Sequence, residues 1–320
     1  MSRGNDTKLF FATDIHGSER CFKKFLNAGR FYGADILLMG GDITGKMLVP
    51  VVEISSSQYE SHLFGRRRTV SADELPALRK QIADAGFYAY DTTPDEIAEF
   101  RERPELVEEQ FRKVMHATLT SWLALAEERL AGTGITCLLA PGNDDPFFVD
   151  ELLGSSARVI NPDRHVLELE QGYTLVSVGY SNPTPWNSPR ELPEDKLRQL
   201  IDKQAREVAD MSRCIFSLHV PPKDTMIDQA MALDEEFRPI MKSGAPVITG
   251  VGSSAVREAL ETYQPLLSLH GHIHESRGEA RFGRTRSLNP GSEYSEGVLR
   301  GALVTLSQKK GIRGYQLVAG

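Results

Sequence analysis

The sequence predicts an α/β fold, a largely parallel sheet covered by helices and accompanied by a second sheet. Three observations predict it. Short apolar runs alternate with helical stretches, the signature of parallel strands buried on both faces. Five of those runs end in a residue able to bind a metal ion. Beyond residue 150, closely spaced strand-like runs suggest antiparallel pairing in a second sheet.

The five runs are LFFATDIHG (9–17), DILLMGGDITG (35–45), ITCLLAPGNDD (135–145), CIFSLHVPP (214–222) and PLLSLHGHIH (265–274). Runs of four to six apolar residues bounded by Gly, Pro or Asp read as buried strands. Helical stretches follow at 18–32, 194–211 and 253–263. In sheets of this kind ligands gather beyond the carboxyl ends of the strands, and all five polar clusters lie there. The segment 46–131 interrupts the pattern. It predicts a hairpin over 47–70, a helix over 71–86 closed by Gly86, and a helix capped by Thr93 that restarts at Pro104 and runs to Gly132. The chain is therefore expected to be one domain, 1–320, with a hairpin-plus-helices insertion at about 46–131. The hairpin leaves the core directly after Asp42 and is expected to cover the cleft. The long helix is expected to rejoin the core. Further strands are expected at 157–160, 165–170, 173–180, 279–282, 285–289, 299–306 and 312–318.

With 320 residues, 40% hydrophobic and 25% charged, the chain can bury a large core. A formal net charge of −7 and the lack of a basic stripe argue against nucleic acid or a membrane surface as partner. Cys21, Cys137 and Cys214 make no CxxC pair, so a reduced, cytoplasmic setting is expected. The opening residues show no signal-peptide pattern, and no run is long enough to span a membrane. Oligomeric state is not legible.

Asp14 and His16 form a D-x-H pair. Asp42 follows Gly40-Gly41, which lets the backbone approach whatever Asp42 binds. Asn143 lies in PGND, His219 in LHVPP, and His272 and His274 in GHIH. Three alternating histidines, His270, His272 and His274, would share one face if the strand continued through them, and an exposed face could carry them idly. The other four clusters favour chemistry instead. Carboxylate, imidazole and amide oxygen form a mixed set suited to Mn²⁺, Fe or Zn²⁺. Seven ligands exceed one tetrahedral ion and suit two ions sharing a carboxylate.

The order D-x-H, G-G-D, G-N-D, H and G-H-x-H resembles the calcineurin-like metallophosphoesterases, and the motifs span residues 14–274. NPGS (289–292) is similar to many bacterial and archaeal members. The resemblance implies a two-sheet sandwich of mixed β-sheets flanked by helices. It implies two divalent or trivalent metal ions, Mn²⁺ foremost. Asp14, His16 and His274 would hold one, Asn143, His219 and His272 the other, and Asp42 would bridge them. A bridging hydroxide would attack a small phosphate ester, with a phosphodiester of nucleotide or cyclic-nucleotide type the leading expectation. The competing expectation is a scaffold of this fold that binds a protein partner. The filled ligand set weighs against it.

One departure matters. Many members carry Asn-His-Asp/Glu where this chain has Asn143-Asp144-Asp145, so Asp144 replaces a histidine near the leaving group. An ionised Asp144 cannot donate a proton, which favours diesters over alkyl monoesters. Alternatively Asp144 caps a helix beginning near Pro146. His270 stands outside the motif; it reads first as a packed residue supporting the ligands and second as a replacement proton donor. Arg66, Arg67 and Arg68 read as a solvated hairpin end before an anion-guiding patch. Trp186 reads as a loop anchor on the core before a base-stacking platform. In TGVGSSAVRE (249–258), Ser253 or Ser254 reads as an N-cap before a phosphate contact. His62, His116 and His165 read as surface or packing residues.

Overall fold

In the computed structural model, which describes residues 6–320, two six-stranded sheets face each other. The sequence reading of the opening residues falls partly on 1–5, outside the described residues. The first sheet runs in the order Gly311–Ala319, Arg300–Ser307, Asp6–Ala12, Ile36–Met39, Thr136–Leu139, Val159–Ile160. The second runs Gly278–Phe282, Thr285–Asn289, Leu267–Leu269, Cys214–Leu218, Thr174–Val178, Val166–Glu168. Both are mixed. Asp6–Ala12 is parallel to Ile36–Met39 and antiparallel to Arg300–Ser307. Cys214–Leu218 is parallel to both of its neighbours. This is the expected two-sheet sandwich flanked by helices.

Strand alternation explains the layers. Leu9 and Phe11 face inward and join Ile36, Leu38, Leu175, Ile215 and Leu267 between the sheets. Phe10 and Ala12 face outward, with Leu37 and Met39, toward helices Glu19–Tyr32 and Pro104–Leu130. Those helices meet where Phe22 stacks on Trp122, 4.4 Å apart and nearly coplanar. Such a pair adds about 0.5–1.5 kcal/mol beyond the area it buries. Helices Glu194–Ala205 and Ser254–Tyr263 cover the other outer face, over Val176 and Phe216.

The segment after Asp42 differs from the expected hairpin. Leu48–Ser55, Gln58–Leu63 and Arg66–Ser71 form a three-stranded meander, and Tyr88–Thr92 adds a parallel fourth strand beside the first. With helix Leu75–Asp84 they enclose their own apolar cluster, including Val49, Val51, Leu63, Leu78 and Ile82. Helix Pro94–Glu102 is capped by Thr93, whose hydroxyl accepts from Glu96 N, and a new helix starts at Pro104. A second feature escaped the sequence. Gln229–Met231 pairs with Ile248–Gly250, and Met241–Lys242 with Ala245–Pro246, giving an exposed ribbon over 229–250. Strands of two or three residues carry too little alternation to be read. Among the described residues, no helix is long and apolar enough to cross a membrane. The three cysteines are buried free thiols.

Candidate metal centre

The loops beyond adjacent strands are tied to one another by main-chain hydrogen bonds. Asp14 N donates to Gly41 O, His16 N to Asp42 O and Gly17 N to Ile43 O, each at 2.8–2.9 Å. Gly271 N likewise donates to His219 O at 2.8 Å. Four of the expected ligands, Asp14, His16, Asp42 and His272, have positive φ. Asp and His tolerate that region better than most residues, at a cost of order 1–3 kcal/mol each, and such strain concentrates at functional sites. Gly41 shows why the glycine pair precedes Asp42: a Cβ there would lie 2.4 Å from His219 Nδ1.

These loops bring together all seven expected ligands. Asp14, His16 and His274 present donor atoms within 4.8 Å of one another, and so do Asp42, His219 and His272. His16 Nε2 is 3.0 Å from His274 Nε2 and 3.6 Å from Asp42 Oδ2. His219 Nε2 is 3.4 Å from Asp42 Oδ2 and 3.0 Å from Asn143 Oδ1. His272 Nδ1 is 2.7 Å from the same Asn143 oxygen. Asp42 Oδ2 thus stands between the two groups.

The donor set fits cations. Asp14 and Asp42 are 1% and 2% exposed. Burial pushes the Asp42 carboxyl up to about 6 despite His219 beside it. Burial alone would lower His219, yet Asp42 drives it up to about 10. Burial keeps His272 neutral, at about 3. Buried carboxylates facing imidazoles need positive charge, and two metal ions would supply it in place of protons. Partners behind the ligands fix their aim. Gly40 O takes His219 Nδ1 at 2.9 Å, and Thr13 Oγ1 donates to Asp14 Oδ2 at 2.6 Å. Asn289 of NPGS donates to Ile273 O, and Ser292 donates to Asp14 O.

Asp144 and Asp145 have separate fates. Asp145 is fully buried and accepts from Ile43 N, Gly142 N, Thr44 N and the Thr44 hydroxyl, locking two site loops together. Asp144 faces the site. Its Oδ2 is 2.6 Å from Lys46 Nζ and 4.0 Å from His16 Nδ1, and its Oδ1 accepts from Ser188 at 2.6 Å. Burial would raise its carboxyl, but Lys46 holds it at about 2. The capping alternative fails, because the helix runs Phe148–Gly154 with Phe147 at its N-cap and no side-chain cap.

His270 is not brought to the cluster. The strand stops at Leu269, so the three histidines share no strand face. The His270 ring lies against Leu218 O at 2.8 Å and Val220 O at 3.1 Å, on either side of His219. Ser268 occupies its other nitrogen, and burial lowers the ring to about 4. It is packed behind His219, and both of its ring nitrogens are engaged away from the cluster, which does not fit a proton donor.

Lys46, Arg190 and Tyr294 were missed. Buried Arg190 holds the main chain after Asn143 through Asp145 O and Pro146 O. The Tyr294 ring lies 4.7 Å from that of His16. Lys46, directly after GGDITG, was the readable one, since a cation that close to Asp42 in sequence must lie near it in space.

Asp42, Asn143, Asp144, His272 and His274 floor a cavity of about 1270 Å³. Its walls come from helix Pro104–Leu130, the 182–189 loop and the ribbon, whereas the meander at 48–71 stays outside. The meander is committed to its own apolar cluster, so the expectation that it covers the cleft fails. Arg66, Arg67 and Arg68 are exposed, with Arg67 paired to Glu60. Trp186 is 66% exposed and stacks on Phe237 rather than on the core, which corrects the anchor reading. Ser253 caps its helix, whose first amides also bind Glu194, leaving no room for a phosphate. His62, His116 and His165 are exposed.

No protein-family model matches the chain. An uncharacterized protein of Methanocaldococcus jannaschii, MJ1162, is 31% identical over 156 residues, 48% of this chain and 62% of that protein. The matched region thus spans less than two thirds of that relative. The solved structure of TT1561 of Thermus thermophilus superposes with a TM-score of 0.53 at 12% identity, over 98% of both chains. Another solved structure superposes with a TM-score of 0.55 at 14% identity, over 98% of both chains. These likenesses bear on the fold alone.

Proposed function

We propose that this chain, which has the fold of the calcineurin-like metallophosphoesterases, hydrolyses phosphate esters at a pair of metal ions. The observation that carries the reading is Asp42 standing between two groups of buried donor atoms at the floor of a cavity. Asp14, His16 and His274 would hold one ion, and Asn143, His219 and His272 the other. When bound, such ions acidify a water and stabilise charge on phosphoryl oxygens. Mn²⁺ suits the N/O set best, with Fe and Zn²⁺ next.

The chain's own residues set the rest. Lys46 is about half exposed and pairs its ammonium with Asp144 Oδ2, 2.6 Å away. Burial would lower its pKa, but Asp42 and Asp144 raise it, so it offers a charge rather than a proton. Asp144 is ionised and holds Lys46 in place. With no proton donor at that position, the site favours esters with stable leaving groups, phosphodiesters above alkyl monoesters. The test is elemental analysis of Mn²⁺-reconstituted protein together with hydrolysis of bis(4-nitrophenyl) phosphate and of an alkyl monoester, glycerol 2-phosphate. Two ions per chain, chelator-sensitive turnover and faster diester cleavage are expected. One ion or none, or turnover indifferent to chelator, refutes the reading.

A further inference from the structure

Several apolar side chains cluster at the cavity mouth. Phe147, Trp186 and Met231 line the cavity and are 55%, 66% and 46% exposed. Phe111 and Phe148 continue the wall on the Phe147 side, and Leu233 on the Met231 side. The apolar surface extends outward along the ribbon. Phe237 stacks on Trp186 with ring centroids 6.4 Å apart, and Ile248, opposite Met231 in register, is 53% exposed. Contiguous exposed apolar patches mark interaction surfaces, ligand-binding grooves among them. Here it is continuous with the polar floor.

The cavity is also larger than a small phosphate ester requires, since pockets for drug-sized ligands measure about 300–1,000 Å³. Two carboxylates beside the Trp186 wall are spent on neighbouring groups. Glu191 accepts from Thr184 N, the Thr184 hydroxyl and Ser188 N. Glu194 is taken by Ser253, Ser254 and Ala255. An alkyl or acyl chain needs only area, and the exposed apolar side chains supply it.

We propose that the substrate is an amphiphilic phosphoester. Its phosphate sits on the donor cluster beside Lys46, and a long alkyl, acyl or extended apolar group lies between the Phe147 and Trp186 walls. This rests on the phosphoesterase reading and replaces the nucleotide expectation within it.

Non-hydrolysable n-alkyl phosphonates with four to ten carbons, below their micellar concentrations, test it by calorimetric titration of metal-reconstituted protein. Affinity is expected to rise about two- to fourfold per methylene. Trp186→Ala and Met231→Ala, both at exposed positions, should flatten that slope. An adenosine phosphonate should bind more weakly than the octyl compound. A flat series, a slope unchanged in both variants, or a tighter adenosine ligand overturns the proposal. So does sedimentation showing a dimer that no alkyl phosphonate enters. Metal content and chelator-sensitive turnover of bis(4-nitrophenyl) phosphate are measured on the same samples. If these hold while the chain-length slope is flat, only the amphiphile inference falls; if these fail, the phosphoesterase reading falls with it.

Discussion

The floor and the walls of the cavity are built on opposite principles. The floor is polar and buried, contributed by residues just beyond the strands of both sheets, with ligands in strained backbone and partners behind them. The walls are apolar and in part exposed, and they come from a long helix, a Pro-rich loop and a thin ribbon. Strand ends are held by sheets on both sides and can fix donor atoms to fractions of an ångström. Segments outside the sheets cannot, but they can change shape without disturbing the floor. Under the proposed function, chemistry is fixed where the fold is stiffest, and substrate choice where it is loosest.

Substitutions can break that division. Asp42→Asn should have the largest effect, because one charge serves both donor groups. Turnover should fall at least about 10²–10³-fold and metal stoichiometry should drop. Near-normal values for both would remove Asp42 from the centre. His270→Leu comes next. Two carbonyls flanking His219 lose their partner, so stability should fall by about 1–3 kcal/mol in urea denaturation. Metal affinity should fall about 10–100-fold. A loss confined to substrates with poor leaving groups, with metal affinity intact, would restore the proton-donor reading. Lys46→Met, at the boundary of floor and wall, should cost about tenfold in kcat/KM, with Lys46→Arg recovering part of it. Equal losses in both variants would mean that the ammonium's geometry, and not its charge, matters. The smallest effect belongs outside the cavity. Replacing Arg66, Arg67 and Arg68 together by Ser should change kcat/KM less than about twofold, since exposed charges beyond the site are worth little. A tenfold loss would make the meander part of the substrate path.

The same division explains what could be read from the sequence. Asp14, His16, Asp42, Asn143, His219, His272 and His274 follow short apolar runs within one to five residues, so local pattern places them. His270 sits in the same pattern yet turns toward the main chain at 218 and 220, where two carbonyls hold its ring. Tyr294 and Arg190 reach the site through long-range packing that leaves no local trace. The ribbon escaped because its ladders are two or three residues long. The parallel strand Tyr88–Thr92 escaped because YAYDT lies between a glycine and a helix cap, where a linker reads equally well.

The register of the first sheet bears on how the protein is made. Asp6–Ala12 occupies an inner position of that sheet and pairs on one side with Arg300–Ser307, so that Leu9 lies opposite Val304. At typical translation rates the two are synthesised on the order of 15–60 s apart. Until then the apolar strand LFFA has one edge unpaired, the arrangement that most invites wrong partners. Asp14 cannot meet His274 before the second sheet exists, so neither donor group is complete in the early fold. A cell making this chain has to shield the strand Asp6–Ala12 until Arg300–Ser307 has emerged.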